Sequence, residues 1–257
     1  PGDTGVIATT DAGAEFHQLV RVNLATNAIT ALTADLPWDV EGVAMTQDER
    51  QLAFTVNEGG RSTVYHAPTK SPEKRTRLDT PAGVVSGLRF DRAGARLALS
   101  LSTAQSPTDV FVVDLKKRSS TRWTTSEVGG LDPSRFVVPT LINVKSFDGL
   151  EIPAWVYRPV APKGRSPVVI TFHGGPEGQA RDSFIPNVQY WVTELGLTVS
   201  VPNVRGSTGY GRAYLTLDDG VKRMDAVRDV GALLDWVSTQ PDLDATRVGV
   251  TGGSYGG

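Results

Sequence analysis

The sequence predicts two architectures in succession: repeated short strands over residues 1–138, then strands alternating with helices over residues 139–257. Three observations carry this expectation. A strand–turn–strand unit recurs in the first part at an offset of 45 residues. Continuous apolar runs and a helix-period segment fill the second part. The chain then ends in a short strand, Arg247–Thr251, that reads as buried and runs into Gly252-Gly253-Ser254-Tyr255-Gly256-Gly257.

The repeat is explicit. Gly42-Val43-Ala44-Met45-Thr46 leads through Gln47–Arg50 into Gln51-Leu52-Ala53-Phe54-Thr55. Gly87-Leu88-Arg89-Phe90-Asp91 leads through Arg92–Ala95 into Arg96-Leu97-Ala98-Leu99-Ser100. A further strand follows each copy, at Thr63–His66 and at Asp109–Leu115, and a partial copy lies upstream at Val6–Thr9 and Leu19–Leu24. Strand repeats of this period read as β-propeller blades. One blade cannot bury its faces alone, so it stacks on neighbours around a channel. About three blades are visible and a closed propeller typically has at least four, so further blades are expected before Pro1. A β-sandwich with coincidental spacing is the alternative.

From Pro139 the pattern changes. Leu141–Phe147 and Ile152–Tyr157 read as strands joined at Asp148-Gly149, a hairpin signal. Pro159–Pro167 is turn-rich, and Pro167–Phe172 is a continuous apolar run, as in a strand covered on both faces. Tyr190–Leu195 reads as a helix and Leu197–Val201 as another buried strand. Val221, Met224, Val227, Val230, Leu233, Leu234 and Val237 recur at helical spacing, which predicts an amphipathic helix over 219–240, stopped by Pro241. Arg247–Thr251 is the last strand. Strands alternating with helices imply a doubly wound, largely parallel sheet.

Composition narrows the function classes. Hydrophobic residues make up 39% and charged residues 21%, ordinary for a folded domain. Net charge is −2, from 26 basic and 28 acidic residues spread evenly, so a nucleic-acid partner is not expected. No apolar run reaches membrane-spanning length, so no membrane partner is expected; the compartment stays open. The absence of cysteine excludes disulfides, thiolate zinc sites and a cysteine nucleophile.

The closing motif carries the chemistry. A strand entering Gly-x-Ser-x-Gly is the context of a nucleophile elbow. The turn is too tight for side chains on either flank, which is why glycine brackets the serine. Ser254 is thereby pushed out, where a base and a substrate carbonyl can reach its hydroxyl. An acyl-transfer site also needs donors for the oxyanion. One is the N–H after the nucleophile, here Tyr255; the other comes from an earlier strand-to-helix loop of His-Gly-Gly type. His173-Gly174-Gly175-Pro176 follows directly on the strand ending at Phe172 and fits that loop. Each motif alone is weak; both at strand C-termini, in this order, form a joint signal. This order of elements is that of an α/β-hydrolase.

Together, His173–Pro176, Asn203-Val204-Arg205-Gly206-Ser207-Thr208-Gly209-Tyr210-Gly211 and Gly253–Gly257 resemble the prolyl oligopeptidase family of serine peptidases. The His-Gly-Gly-Pro form is similar to the acylaminoacyl-peptidase-like branch; the prolyl oligopeptidase and dipeptidyl branches carry tyrosine where His173 stands. The resemblance covers nearly the whole chain, because that family joins a β-propeller to an α/β-hydrolase. It implies a partial propeller over 1–138 and the first half of a hydrolase domain over 139–257. It implies Ser254 as nucleophile, Tyr255 and Gly175 as oxyanion N–H donors, and an Asp and a His that belong to a further part of the same enzyme. It implies short peptides as substrates, because the propeller restricts access, and no cofactor or metal. Homo-oligomer formation stays open. The dipeptidyl branch's paired glutamates for a substrate amino terminus are not recognisable.

Other residues have plainer readings. His17, His66 and His173 all precede Ser254, against the hydrolase order Ser, acid, His. His173 reads as a residue that fixes its loop through its ring rather than as the base. Arg205 could hold a substrate carbonyl or carboxylate, but a buried arginine tying Asn203–Gly211 together is the expectation. Gly174 supports the loop. Asp225, Asp229 and Asp235 read as carboxylates on a solvated helix face, with no histidine beside them to bind metal. Trp38, Trp123, Trp155, Trp191 and Trp236 read as packing residues. Two rival functions use the same motifs: a carboxylesterase on the same fold, which the repeats disfavour, and a scaffold that has lost its triad.

Overall fold

The computed structural model describes residues 5–175 and 177–257; Pro176 of the His173–Pro176 motif, like Pro1–Thr4, lies outside the described residues. Packing divides the chain into two units. One comprises Pro1–Thr103, Pro107–Ser126 and Gly209–Gly211; the other comprises Ala104–Ser106, Glu127–Thr208 and Arg212–Gly257.

The first unit is built of antiparallel sheets. Strands β1 (Gly5–Thr10), β2 (Gln18–Asn23) and β3 (Ile29–Ala31) form one, in sequence order. A second contains β4 (Asp39–Met45), β5 (Gln51–Glu58), β6 (Arg61–Pro68) and β7 (Thr76–Arg77). A third contains β8 (Val84–Phe90), β9 (Arg96–Thr103), β10 (Ser106–Asp114) and β11 (Ser119–Arg122).

The sequence repeat has a structural counterpart at the level of single residues. The β4–β5 ladder is irregular between Val40 and Gly42, and the β8–β9 ladder between Val85 and Gly87. The turns close alike: Thr46 N–H donates to Gln51 O and Glu49 N–H to Thr46 O, while Asp91 N–H donates to Arg96 O and Gly94 N–H to Asp91 O. Glu49 and Gly94 both take left-handed backbone, at φ 58° and 66°. Between the sheets, Leu97, Leu99, Leu101 and Val113 share a buried cluster with Ala53, Val64 and Val85. Another joins Leu19 to Val40, Leu52, Phe54 and Val56. Each sheet therefore hides its apolar face against the next, as repeat stacking requires.

The second unit holds a five-stranded sheet. Its strands are β12 (Thr140–Lys145), β13 (Glu151–Tyr157), β14 (Ser166–Phe172), β15 (Thr198–Pro202) and β16 (Leu243–Gly252), in the order β12-β13-β15-β14-β16. It is mixed rather than largely parallel. β12/β13 and β13/β15 pair antiparallel, whereas β14/β15 and β14/β16 pair parallel. The tight turn through Asp148 and Gly149, closed by Ser146 N–H to Leu150 O, can only join antiparallel strands. The crossovers through α1 (Pro186–Thr193) and α3 (Arg223–Thr239) join parallel ones; a short α2 (Arg212–Leu215) lies between them.

Alternation along the strands feeds both faces of the sheet. Trp155, Tyr157, Val199 and Val201 pack with Val188 and Val192 of α1. Ala154, Val168, Ile170 and Leu243 pack with Leu233 and Val237 of α3. Each buried Val, Leu or Ile among them contributes about 1.5–3 kcal/mol relative to exposure. Trp155 also donates its indole N–H to Ala180 O at 3.2 Å.

The helix-period stripe is corrected in part. α3 begins at Arg223, after a 3-10 turn over Gly220–Lys222. Leu233 and Val237 are buried, but Val221, Met224, Val227 and Leu234 are exposed. The line facing the sheet is Asp229, Leu233 and Val237, successive residues four apart. Val227 and Leu234 lie on other sides of that line.

Candidate active site

β14 and β16 are parallel neighbours, with Phe172 opposite Gly252 in register. Their C-terminal loops therefore leave the sheet side by side. This pairing brings the His-Gly-Gly loop and the Gly-x-Ser-x-Gly turn together.

After β16 the chain turns sharply. Ser254–Gly256 form a 3-10 turn, with Gly256 N–H donating to Gly253 O and Gly257 N–H to Ser254 O. Ser254 itself has φ 57°, left-handed backbone that a non-glycine residue adopts at a cost of about 1–3 kcal/mol. The side chain is exposed. The first flanking glycine is obligatory: a Cβ on Gly252 would stand 1.9 Å from Gly256 O. The loop after β14 lies against this turn. A Cβ on Gly174 would stand 3.2 Å from Ser254 Cβ and 3.0 Å from Gly253 O, so the close approach depends on glycine there too. Gly175, next in the loop, is exposed.

His173 is engaged within the loops. Its Nδ1 is 2.8 Å from Gly174 O and its Nε2 is 2.9 Å from Ser207 Oγ. The Ser207 hydroxyl also lies 2.6 Å from Val204 O, to which it donates. The ring thus ties the His-Gly-Gly loop to the Asn203–Thr208 loop, and both of its nitrogens have partners other than Ser254. Farther along, Asn203 is fully buried: its side-chain amide brackets Ala180 by accepting from Ala180 N–H at 2.6 Å and donating to Ala180 O at 3.0 Å.

Arg205 is a buried structural cation. Its Nη1 and Nη2 donate to the two Asp148 oxygens at 2.9 and 3.0 Å. Nη2 also donates to Asp229 Oδ1 at 2.9 Å, Nε to Asp229 Oδ2 at 3.0 Å, and the backbone N–H to Asp229 Oδ2 at 3.1 Å. Ser146 Oγ adds a hydrogen bond to Asp229 Oδ1 at 2.6 Å. The guanidinium also sits over the Phe147 ring, 4.6 Å from its centroid. One side chain thus fastens the β12–β13 turn, α3 and the loop after β15. Burial opposes the charge of Arg205, but the hydrogen bonds it donates to Asp229 and Asp148 outweigh it, so its pKa lies above the ordinary arginine value. The same hydrogen bonds hold the Asp148 carboxyl below the usual range.

Asp229 corrects the expectation of a solvated carboxylate: it is fully buried and is the main counterion of Arg205. The available signal was its position four residues before Leu233, in line with the buried stripe. Asp225 and Asp235 do face solvent more openly, and Asp225 pairs with Arg228 at 3.1 Å. His17 and His66 belong to the first unit. The His66 ring is 2.7 Å from Gln51 Oε1, and burial lowers its pKa.

Tyr255, beside the serine, is half-exposed. The Arg223 guanidinium lies over its ring, 5.2 Å from the centroid, and Nη1 of the same arginine donates to Asp218 Oδ2 at 2.9 Å. Among the described residues, no group of three or more His, Asp or Glu side chains is arranged to hold a metal ion, and no helix is long and apolar enough to cross a membrane.

The site's second half falls within a known sequence family. Residues 183–257 match the family described as the prolyl oligopeptidase family, Peptidase S9. Through these residues the chain is similar to that family. It is 33% identical over 125 residues to the uncharacterized peptidase YuxL of Bacillus subtilis, an alignment covering 47% of this chain and 19% of that protein. It is 29% identical over 220 residues to the human acylamino-acid-releasing enzyme, covering 76% of this chain and 29% of that enzyme. The crystal structure of puromycin hydrolase superposes with a TM-score of 0.85 at 24% identity, over 99% of this chain and 40% of that one. At that identity the likeness shows a shared fold. The chain spans less than a third of the length of these two relatives.

Proposed function

We propose that this chain carries the nucleophile and oxyanion loops of a serine peptidase of the acylaminoacyl-peptidase-like branch. One observation carries the reading: Ser254 is held at φ 57° between β16 and a 3-10 turn, with Gly174 of the His-Gly-Gly loop against it. Residues 1–138 are read as blades of a β-propeller and residues 139–257 as the first half of an α/β-hydrolase domain.

In this reading Ser254 Oγ attacks the carbonyl carbon of a peptide bond. Its proton passes to a histidine outside this chain, itself oriented by an acid. The oxyanion that forms accepts from the N–H groups of Tyr255 and Gly175. The tetrahedral species collapses, the C–N bond breaks, and the histidine returns the proton to the leaving amine. Water, deprotonated by the same base, then releases the acyl group from Ser254. Removing one oxyanion donor typically costs about 100- to 1000-fold in turnover. His173 and Arg205 support the loops from behind. The propeller limits entry, which favours short peptides.

The test is made on the full-length protein. A fluorophosphonate probe should label Ser254, and Ser254→Ala should abolish both labelling and hydrolysis. A short peptide p-nitroanilide should be a better substrate than a simple p-nitrophenyl ester. Absence of labelling on Ser254 in folded protein refutes the mechanism; a strong preference for the ester refutes the peptidase reading.

A further inference from the structure

Arg223 stands outside every motif that the sequence singles out, yet it touches the residue next to Ser254. Its guanidinium caps the Tyr255 ring at 5.2 Å from the centroid, within the range of a cation–π contact. Its Nη1 is anchored by Asp218 Oδ2 at 2.9 Å. Asp218 is buried, and its carboxylate lies against the backbone of Gly206, immediately after Arg205. Arg205 is in turn fixed by Asp148 and Asp229. A continuous chain of contacts therefore runs from the buried arginine loop, through Asp218 and Arg223, to the Tyr255 ring. Tyr255 is otherwise a half-exposed side chain on a turn of glycines, its peptide plane held by the 3-10 hydrogen bond from Gly257 N–H to Ser254 O, and the arginine cap adds a side-chain restraint to that backbone one.

We infer that Arg223 is a positioning residue: clamped by Asp218, it holds the Tyr255 ring and so aims the Tyr255 N–H at the developing oxyanion. The inference rests on the peptidase reading above, in which that N–H stabilises the transition state. Displacement of such a donor by a fraction of an ångström weakens transition-state binding while leaving ground-state binding nearly intact.

The experiment uses the full-length protein, a short peptide p-nitroanilide that it cleaves, and the matching peptide aldehyde, whose adduct with Ser254 carries the oxyanion. Arg223→Ala should lower kcat by about 10- to 100-fold, the scale of a misaimed donor, and leave KM within about twofold. Affinity for the aldehyde should fall in parallel, while affinity for the product acid stays unchanged. Arg223→Lys keeps the charge but not the planar cap and should recover only part of the loss. In a Tyr255→Ala background, which keeps the N–H but removes the ring, Arg223→Ala should have no further effect. Unchanged kcat and aldehyde affinity in folded Arg223→Ala protein would overturn the inference. So would a loss of equal size in the Tyr255→Ala background. Full activity in Ser254→Ala would instead overturn the peptidase reading itself, and the role of Arg223 with it.

Discussion

Asp229→Asn tests the hidden scaffold of the site. The substitution keeps the shape of the side chain and removes its charge. Asp229 is fully buried and the Arg205 side chain is 3% exposed, so the cation left behind cannot recover water. Removing one partner of a buried pair costs about 3–5 kcal/mol. Asp148 still accepts two of the guanidinium's hydrogen bonds, which places the expected loss near the lower end, about 3 kcal/mol. For a unit of this size, that corresponds to a fall of roughly 6–12 °C in Tm. The assay is thermal unfolding of the full-length protein followed by circular dichroism. Hydrogen exchange on peptides spanning 200–215 should show where protection is lost. Asp235→Asn, on the exposed side of the same helix, is the control and should stay within about 0.5 kcal/mol of the parent. A double replacement, Arg205→Met with Asp229→Leu, removes both charges and should recover much of the loss. If Asp229→Asn melts with the Asp235→Asn control, the pair does not hold the loops.

Other consequences can be measured on the same material. Arg205 depresses the Asp148 pKa, so Asp148 contributes stability above its unfolded value of about 3.9, and that contribution disappears as pH falls through the depressed folded value. Asp148→Asn should therefore be less stable than the parent near neutrality, with the gap closing in acid; a gap that widens in acid contradicts the assignment. Gly252→Ala drives a Cβ to 1.9 Å from Gly256 O, so the elbow must shift, and fluorophosphonate labelling of Ser254 should slow by about 100-fold or more, as a misplacement near 1 Å can cost. His173→Ala should cost about 10- to 100-fold in kcat, the range of a disturbed oxyanion donor, whereas loss of a true general base costs about 10,000-fold or more. A loss of the larger size would make His173 the base.

The parts of this molecule that could be read from its residues are those governed by local rules. β14 announces itself as an apolar run, the elbow by its glycines, and the first unit by a repeat that extends to matching turn backbone at Glu49 and Gly94; the last strand is longer than Arg247–Thr251, running Leu243–Gly252, and most of it is exposed rather than buried. What escaped was set by pairing between distant segments. The antiparallel placement of β13 beside β15 has no counterpart in either strand's periodicity. The apolar residues of α3 form a stripe in sequence, but the sheet selects the line through Asp229, Leu233 and Val237 and leaves Val227 outside. Asp229 departs from the expectation because a carboxylate on a helix is usually solvated; the guanidinium arriving from 24 residues earlier, with Ser146 Oγ and the Arg205 N–H, makes its burial tolerable.

That separation also sets an order of events in the cell. When Arg205 is made, Ser146–Leu150 already exists, but the carboxylate that neutralises most of its charge lies 24 residues ahead. At about 5–20 residues per second, the nascent segment waits roughly one to five seconds for its counterion. Until α3 emerges from the ribosome, the loop after β15 has reason to stay hydrated and open.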